Sequence, residues 1–164
     1  MSSKFEQSLI DGPHELLPRI AGEWAGTAKL WFERDKLVEE NKVRCSSEAI
    51  LGGRFLRCEY STKTQEFDSE GLGIYGYDLG RALWIGSWVD SYHNGTGFLL
   101  SEGDGKEIAE GFSVLGRYPD GEGGFWGWRT ELRLDGPEHL VIAHYNIPPG
   151  EAEYIAVEYA MGRV

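Results

Sequence analysis

From Gly22 onward, short runs rich in Val, Ile, Tyr, Phe, Trp and Thr alternate apolar with polar positions and break at glycine, asparagine or aspartate. A period of two puts successive side chains on opposite faces of an extended chain, so each run reads as a strand with one face turned inward. About ten such runs are legible: residues 22–32, 42–50, 54–61, 66–77, 81–90, 96–102, 106–112, 125–134, 139–146 and 152–162. Helical periodicity is nearly absent. The one helix candidate is the stretch 12–20, about two turns with Pro13 near its start and Pro18 as a breaker. In a barrel it would serve as a lid or plug at one end. Residues 1–12 read as an N-terminal extension and 13–164 as one domain.

The joints between runs carry turn chemistry. Gly52-Gly53, Asn94-Gly95 and Asp104-Gly105 are two-residue hairpin signals, because primed turns need a positive φ that glycine and asparagine tolerate. Asp78-Leu79-Gly80-Arg81 and Asp135-Gly136-Pro137 read as further tight turns. Consecutive hairpins make a meander, and a long meander either exposes two edges or closes on itself. Closure removes the edges and leaves a cavity. The expected fold is all-β: a single antiparallel up-and-down β-barrel of about ten strands with a short N-terminal helix.

Hairpin symmetry proposes pairings. Centred on Gly52-Gly53, Glu48 lies opposite Arg57 and Ser46 opposite Glu59. One face then carries Arg44, Ser46, Glu48, Arg57 and Glu59, the other Cys45, Ser47, Ala49, Leu56, Cys58 and Tyr60. Centred on Leu79-Gly80, Tyr75 faces Trp84, Gly73 faces Gly86 and Gly71 faces Trp88, while Leu72, Ile74, Leu83 and Ile85 share the opposite face. Glycines opposite tryptophans leave room for indole rings to lie across the sheet. A simple core would turn the aliphatic face inward; a ligand cavity would turn aromatics and a few polar groups inward. The pattern does not decide between them. On the second arrangement the ligand-binding candidates are Tyr75, Trp84, Trp88, Trp128 and Tyr145 as walls, with Arg57, Glu59 and Asp90 as polar anchors.

Composition narrows the function classes. Six Trp, eight Tyr and seven Phe in 164 residues are too rich for a disordered chain. A net charge of −11 repels phosphate backbones and anionic lipid surfaces, so neither nucleic acid nor membrane is expected as a partner. The N-terminus carries no long apolar stretch, and a cytoplasmic location is expected. Cys45 and Cys58 form no Cys-x-x-Cys motif and read as two reduced, buried thiols. His14, His93, His139 and His144 show no metal-ligand spacing, and no metal is expected. No nucleophile elbow or phosphate loop occurs. Gly71-Leu72-Gly73-Ile74-Tyr75-Gly76 matches a dinucleotide fingerprint literally but sits inside a strand with no helix behind it. Acid–base chemistry would fall to Glu59, Asp90 or Glu158, whose bland reading is ion pairing with Arg57, Arg54 or Arg129. The acidic groups Glu39-Glu40, Glu66-Asp68-Glu70 and Glu151-Glu153 read as solvated surface, and Tyr118–Gly124 as the longest mobile loop.

Ala21-Gly22-Glu23-Trp24-Ala25-Gly26-Thr27, after a short helix, resembles the Gly-x-Trp opening of lipocalin-like (calycin) barrels, and Tyr159-Ala160-Met161-Gly162-Arg163 resembles their last strand, which ends in an arginine near that tryptophan. The series Leu30-Trp31-Phe32, Ile50-Leu51-Gly52-Gly53-Arg54-Phe55-Leu56, Glu59-Tyr60, Gly71-Leu72-Gly73-Ile74-Tyr75-Gly76-Tyr77-Asp78 and Trp88-Val89-Asp90-Ser91 is similar to a bacterial family of unknown function in that superfamily, from about Leu16 to Arg163. The resemblance implies the barrel and brings no activity. Nitrobindins and fatty-acid-binding proteins belong to the same superfamily. A nitrobindin resemblance would imply haem held by a histidine on the final strand, but Tyr154-Ile155-Ala156-Val157-Glu158-Tyr159-Ala160 contains none. His144 on the preceding strand is the one replacement, and no cofactor is expected. A fatty-acid-binder resemblance would imply a helical lid after the first strand, for which 33–41 is too short.

Three functional classes remain open: a carrier or sensor of a small apolar or aromatic ligand, a small isomerase or lyase using buried carboxylate and tyrosine groups, and a homodimeric interaction module using the aliphatic face.

Overall fold

In the computed structural model, which describes residues 3–64 and 68–164, the strands are β1 (Gly22–Glu33), β2 (Lys36–Ile50), β3 (Phe55–Lys63), β4 (Asp68–Asp78), β5 (Leu83–Asp90), β6 (Leu99–Gly103), β7 (Gly111–Pro119), β8 (Phe125–Leu134), β9 (His139–Ile147) and β10 (Tyr154–Arg163). Each pairs antiparallel with its neighbour in sequence, and β10 returns to β1, closing the barrel. The inward face of β2 and β3 carries Cys45, Ser47, Leu56, Cys58 and Tyr60, and that of β4 and β5 carries Tyr75, Trp88 and Asp90, all buried. Leu72, Ile74, Leu83 and Ile85 lie between these on the outer face, half-buried. The aromatic face is therefore the inner one.

The β2–β3 hairpin has the expected register, Glu48 opposite Arg57 and Ser46 opposite Glu59. The β4–β5 hairpin does not: Tyr75 faces Gly86, Gly73 faces Trp88, and Tyr77 faces Trp84. Its connection is four residues, 79–82, with Ala82 at φ 53° and Asp78 Oδ1 accepting from the backbone N–H of Gly80 and Arg81 at 2.9 and 3.1 Å. The slip is even, so every side chain keeps its face. Gly86 is required where it stands: a Cβ there would come within 2.8 Å of the Tyr75 ring.

Other boundaries moved for local reasons. β2 begins at Lys36, because Arg34-Asp35 makes the turn itself with Asp35 at φ 58°. The expected strand 106–112 is instead β7, starting at Gly111. Asp104 Oδ1 holds the Lys106 N–H at 3.0 Å, Gly111 N–H bonds Ile108 at 3.2 Å, and the apolar alternation starts only at Phe112. None of the three glycine pairs forms a two-residue hairpin: Gly52-Gly53 is the middle of a four-residue connection, 51–54, and Asn94-Gly95 and Asp104-Gly105 sit in longer ones, 91–98 and 104–110. β7 also takes Tyr118 and Pro119 from the expected loop. The expected strand start at Glu66, with its acidic cluster, lies outside the described residues.

The N-terminal segment is more helical than its sequence suggested. Helix α1 (Lys4–Asp11) opens with a capping box in which Ser3 and Glu6 bond each other's backbone N–H, a Ser-x-x-Glu signal that was legible in the sequence. A 3-10 turn (Pro13–Glu15) and helix α2 (Leu16–Ile20) follow, with Leu16, Leu17 and Ile20 buried against one end of the barrel. There Trp24 Nε1 donates to the Ile20 carbonyl at 3.0 Å, and the Arg163 guanidinium lies 4.1 Å from the Trp24 ring centre. Arg163 also donates to the Ala21 and Arg19 carbonyls at 2.9 and 3.0 Å. One residue of the last strand thus ties the plug to the barrel by satisfying the free carbonyls at the end of α2.

Above the plug the lumen is filled. Trp84 stacks on Phe112 at 4.3 Å, Tyr75 tilts against the same ring at 5.5 Å, and Tyr60 meets Tyr159 at 4.9 Å. Cys45 and Cys58 are free thiols in this layer, diagonal to one another across the β2–β3 pair and linked through Ser47, which donates to Cys58 Sγ at 3.3 Å. The hydrogen bond with Cys45, and then burial, push the Cys58 thiol up, so it resists thiolate chemistry. Freshly purified protein should show the same electrophoretic mobility with and without reductant; a reducible bridged species would contradict this placement.

Candidate functional site

The end of the barrel opposite the plug holds a cavity of about 210 Å³. Its walls come from the end of β1 (Leu30), β5 with its following loop (Trp88, Tyr92, His93, Asn94), the start of β6 (Leu99), the end of β7 (Tyr118), β8 (Trp128), β9 (Asn146) and β10 (Ala156). Inward parity delivers Trp88, Tyr118, Trp128 and Asn146 to the mouth, because each lies at the open-end side of its strand.

Trp88 and Trp128 face one another 5.4 Å apart at 7° between planes, and the His144 ring stacks with both, at 5.0 and 5.3 Å. His93 tilts over the two indoles at 5.5 and 5.4 Å. Trp88 Nε1 donates to the Tyr60 hydroxyl at 3.1 Å, and His144 Nδ1 pairs with Thr130 Oγ1 at 2.9 Å. Two buried atoms of this cluster, Trp128 Nε1 and His144 Nε2, have no hydrogen-bond partner among the described residues. An unpaired buried donor costs free energy unless a ligand or water meets it. Across the cavity the Tyr118 hydroxyl donates to Asn146 Oδ1 at 2.7 Å.

Asp90 follows Trp88 on the inward face of β5, at the last residue of the strand, with its side chain fully buried. Oδ1 accepts from the backbone N–H of His93 and Asn94 at 2.8 and 2.7 Å, and Oδ2 meets His93 Nδ1 at 2.6 Å. One carboxylate thereby fixes both the path of the loop after β5 and the His93 ring. Asn94 adds a bond from Nδ2 to the Trp88 carbonyl at 3.3 Å.

His144 is held neutral: burial, and then its neighbour His93, lower its pKa to about 3 from an ordinary 6.5. A base with a depressed folded pKa contributes stability that is complete above about pH 6.5 and is lost as pH falls toward 3, since only the unfolded chain takes the proton. Between pH 6.5 and 5 the loss should be about 1.6 kcal/mol. Urea unfolding at the two pH values should show that His144→Phe removes most of this slope. An unchanged slope would contradict the assignment.

The structure brings Trp88 and Trp128 together in the cavity wall, with Asp90 two residues beyond Trp88 at the end of β5, where it holds His93. Tyr75 and Trp84 face inward but lie deeper, packed on Phe112 below the cavity. Arg57, Glu59 and Tyr145 point outward instead. Arg57 pairs on the surface with Glu48 at 2.8 Å and Glu59 at 3.2 Å, because β3 turns its even-numbered residues inward. Tyr145 falls between the inward His144 and Asn146, and its ring lies over the outer-face Arg129 at 3.9 Å. Arg129 in turn pairs with Glu153 at 2.8 Å and Glu131 at 2.9 Å. Glu158 is likewise outward, across from Lys29. His93, Asn94, Tyr118 and Asn146 were not read from the sequence. For the first two, an aspartate ending a strand before a polar tetrad is an Asx-turn signal; for the last two, inward parity at a strand end was available.

A haem does not fit this arrangement. His144 is 1% exposed and packed against both indoles, and the cavity is smaller than the roughly 300 Å³ at which cofactor-sized sites begin. The inward positions of β10 are Ala156, next to a bulge, and Val157, Tyr159 and Met161.

The fold and site define a closed, ten-stranded meander barrel, plugged by helix at one end and indented by an aromatic pocket at the other. The chain belongs to the family described as Protein of unknown function (DUF1579), which matches residues 11–163. No curated protein matches it. No helix among the described residues is long and apolar enough to cross a membrane.

Proposed function

We propose that the protein is a lipocalin-like binder of a small, planar, largely apolar molecule, held at the barrel mouth against Trp88 and Trp128. The observation that carries this reading is a pocket walled by the Trp88 and Trp128 rings, with His93, Asn94 and Asn146 as its few polar groups and with the Trp128 indole N–H buried and unpartnered among the described residues. A ligand that stacks on the rings and offers one acceptor would satisfy it. The lumen beneath is occupied by Tyr60, Tyr159, Tyr75 and Phe112, so a long acyl chain has no path inward. Calorimetric titration should give saturable binding of one- and two-ring aromatics bearing an acceptor, and none of a long-chain fatty acid. Absence of saturable binding by every aromatic, or equal binding of the fatty acid, would overturn the reading.

A homodimer is a second reading with its own support. Leu100 and Phe125, 71% and 49% exposed, line an open outer depression with Leu115 and Ile147. Native mass spectrometry separates the two: a monomer retaining a small molecule favours the binder, a bare dimer the interaction module.

A further inference from the structure

We infer that the Asp90–His93 pair makes the mouth a site for a weakly acidic aromatic of the phenol class, which it binds as the phenolate by taking the proton onto His93 Nε2. The inference rests on the binding reading above and specifies its chemistry.

Three features carry it. First, Asp90 is buried, and its Oδ1 is committed to two backbone N–H groups, so the hydrogen shared with His93 at 2.6 Å is the Nδ1–H donated to Oδ2. That bond fixes the tautomer and leaves the Nε2 lone pair free, the arrangement in which a carboxylate supports an imidazole as a base. Second, His93 borders the cavity with its side chain one quarter exposed, and its ring is held against both indoles, so Nε2 is presented from a fixed plane. Third, among the described residues no lysine or arginine lines the cavity. A permanently anionic ligand finds no fixed cation there, whereas a neutral acid creates its own counter-ion by giving up its proton. The unpaired Trp128 N–H is a further donor on the same wall.

The step balances without another reactant. The ligand O–H bond breaks, its electron pair stays on oxygen, and the proton forms an N–H bond at His93 Nε2. The imidazolium then lies between Asp90 and the phenolate. The other titratable groups facing the pair are Tyr92 in its own loop, Tyr118 on β7, His144 on β9, and the Tyr60 and Tyr159 hydroxyls on β3 and β10. Burial keeps His144 neutral and raises Tyr60, Tyr118 and Tyr159, so none of these four competes for the proton near neutrality.

The test uses 4-nitrophenol, whose absorption reports its ionisation, beside 4-nitroanisole, the same ring with the proton replaced by methyl. The full-length protein should bind both, and bound 4-nitrophenol should ionise at a pH at least about one unit below its value in water, a tenfold preference for the phenolate. In His93→Gln the ionisation shift should disappear for the 4-nitrophenol that binds, whatever affinity for either probe is lost with that part of the wall. Asp90→Asn, which keeps an acceptor for the two N–H groups, should lose the shift as well, with circular dichroism checking that it folds. Binding of both probes with 4-nitrophenol unshifted, or a shift that survives both substitutions, overturns the inference and leaves the binding reading standing. Binding of neither probe overturns both.

Discussion

Replacing Trp24 by alanine should destabilise the protein by about 3–5 kcal/mol, the range for removing a fully packed large aromatic ring. Trp24 is 1% exposed and, together with Arg163, joins the plug, the first strand and the last. Its ring packs beneath α2, its N–H takes the Ile20 carbonyl, and its face carries the Arg163 guanidinium. Truncation removes the ring area, leaves the Ile20 carbonyl without its donor, and exposes the cation to a void. Arg163→Ala should cost less, because its partners sit near the surface and water can take the Pro137, Ala21 and Arg19 carbonyls. Chemical denaturation of both variants checks the order. A Trp24→Ala variant within about 1 kcal/mol of the parent would mean that the plug is not coupled to the barrel.

The second large effect is at the mouth. Trp88 is 4% exposed, stacks with Trp128 and His144, and donates to Tyr60. Trp88→Ala should lose about 3 kcal/mol of stability and leave the Tyr60 hydroxyl without its donor. It should also weaken binding of a one-ring aromatic at least tenfold, since one of the two indoles in the wall is gone. The two losses are separable: Trp84→Ala, in the layer below, should cost similar stability through its stack on Phe112 while leaving affinity nearly unchanged. Equal losses of affinity in both variants would place the ligand deeper than the mouth.

Much of the barrel was legible because it is written in turn residues. Strands joined by glycine, asparagine and aspartate turns give a meander without any knowledge of packing, and Trp24 with Arg163 marks where it begins and closes. The errors share a cause. The β4–β5 register depended on whether Gly80 or the whole segment 79–82 makes the turn, and Asp78, which caps that turn with its own carboxylate, decides for the longer one. The slip was even, and Trp88 and Asp90 stayed on the inner face.

At the site, parity was informative and charge was misleading. Arg57 and Glu59 carry the charge that suggests polar anchors, but Cys58 and Tyr60 between and beside them mark the inward set. Tyr145 suffered the same fate beside His144. His93 was illegible for a different reason: its position depends on a loop conformation set by a buried carboxylate three residues earlier, and period-two patterning says nothing about residues that have left the strand.

The most direct test of the site reads the six indole N–H signals of the protein by 1H–15N correlation spectroscopy while an acceptor-bearing one-ring aromatic is titrated to saturation, with each signal assigned from a Trp→Phe variant. A ligand at the mouth should move Trp128 most, because its Nε1 gains a partner it lacks, and Trp88 next, through the ring current of the bound molecule. Trp24, under the plug at the far end, should stay in place. Shifts confined to Trp24 and Trp84, or no shift in any indole at saturating ligand, would contradict the account.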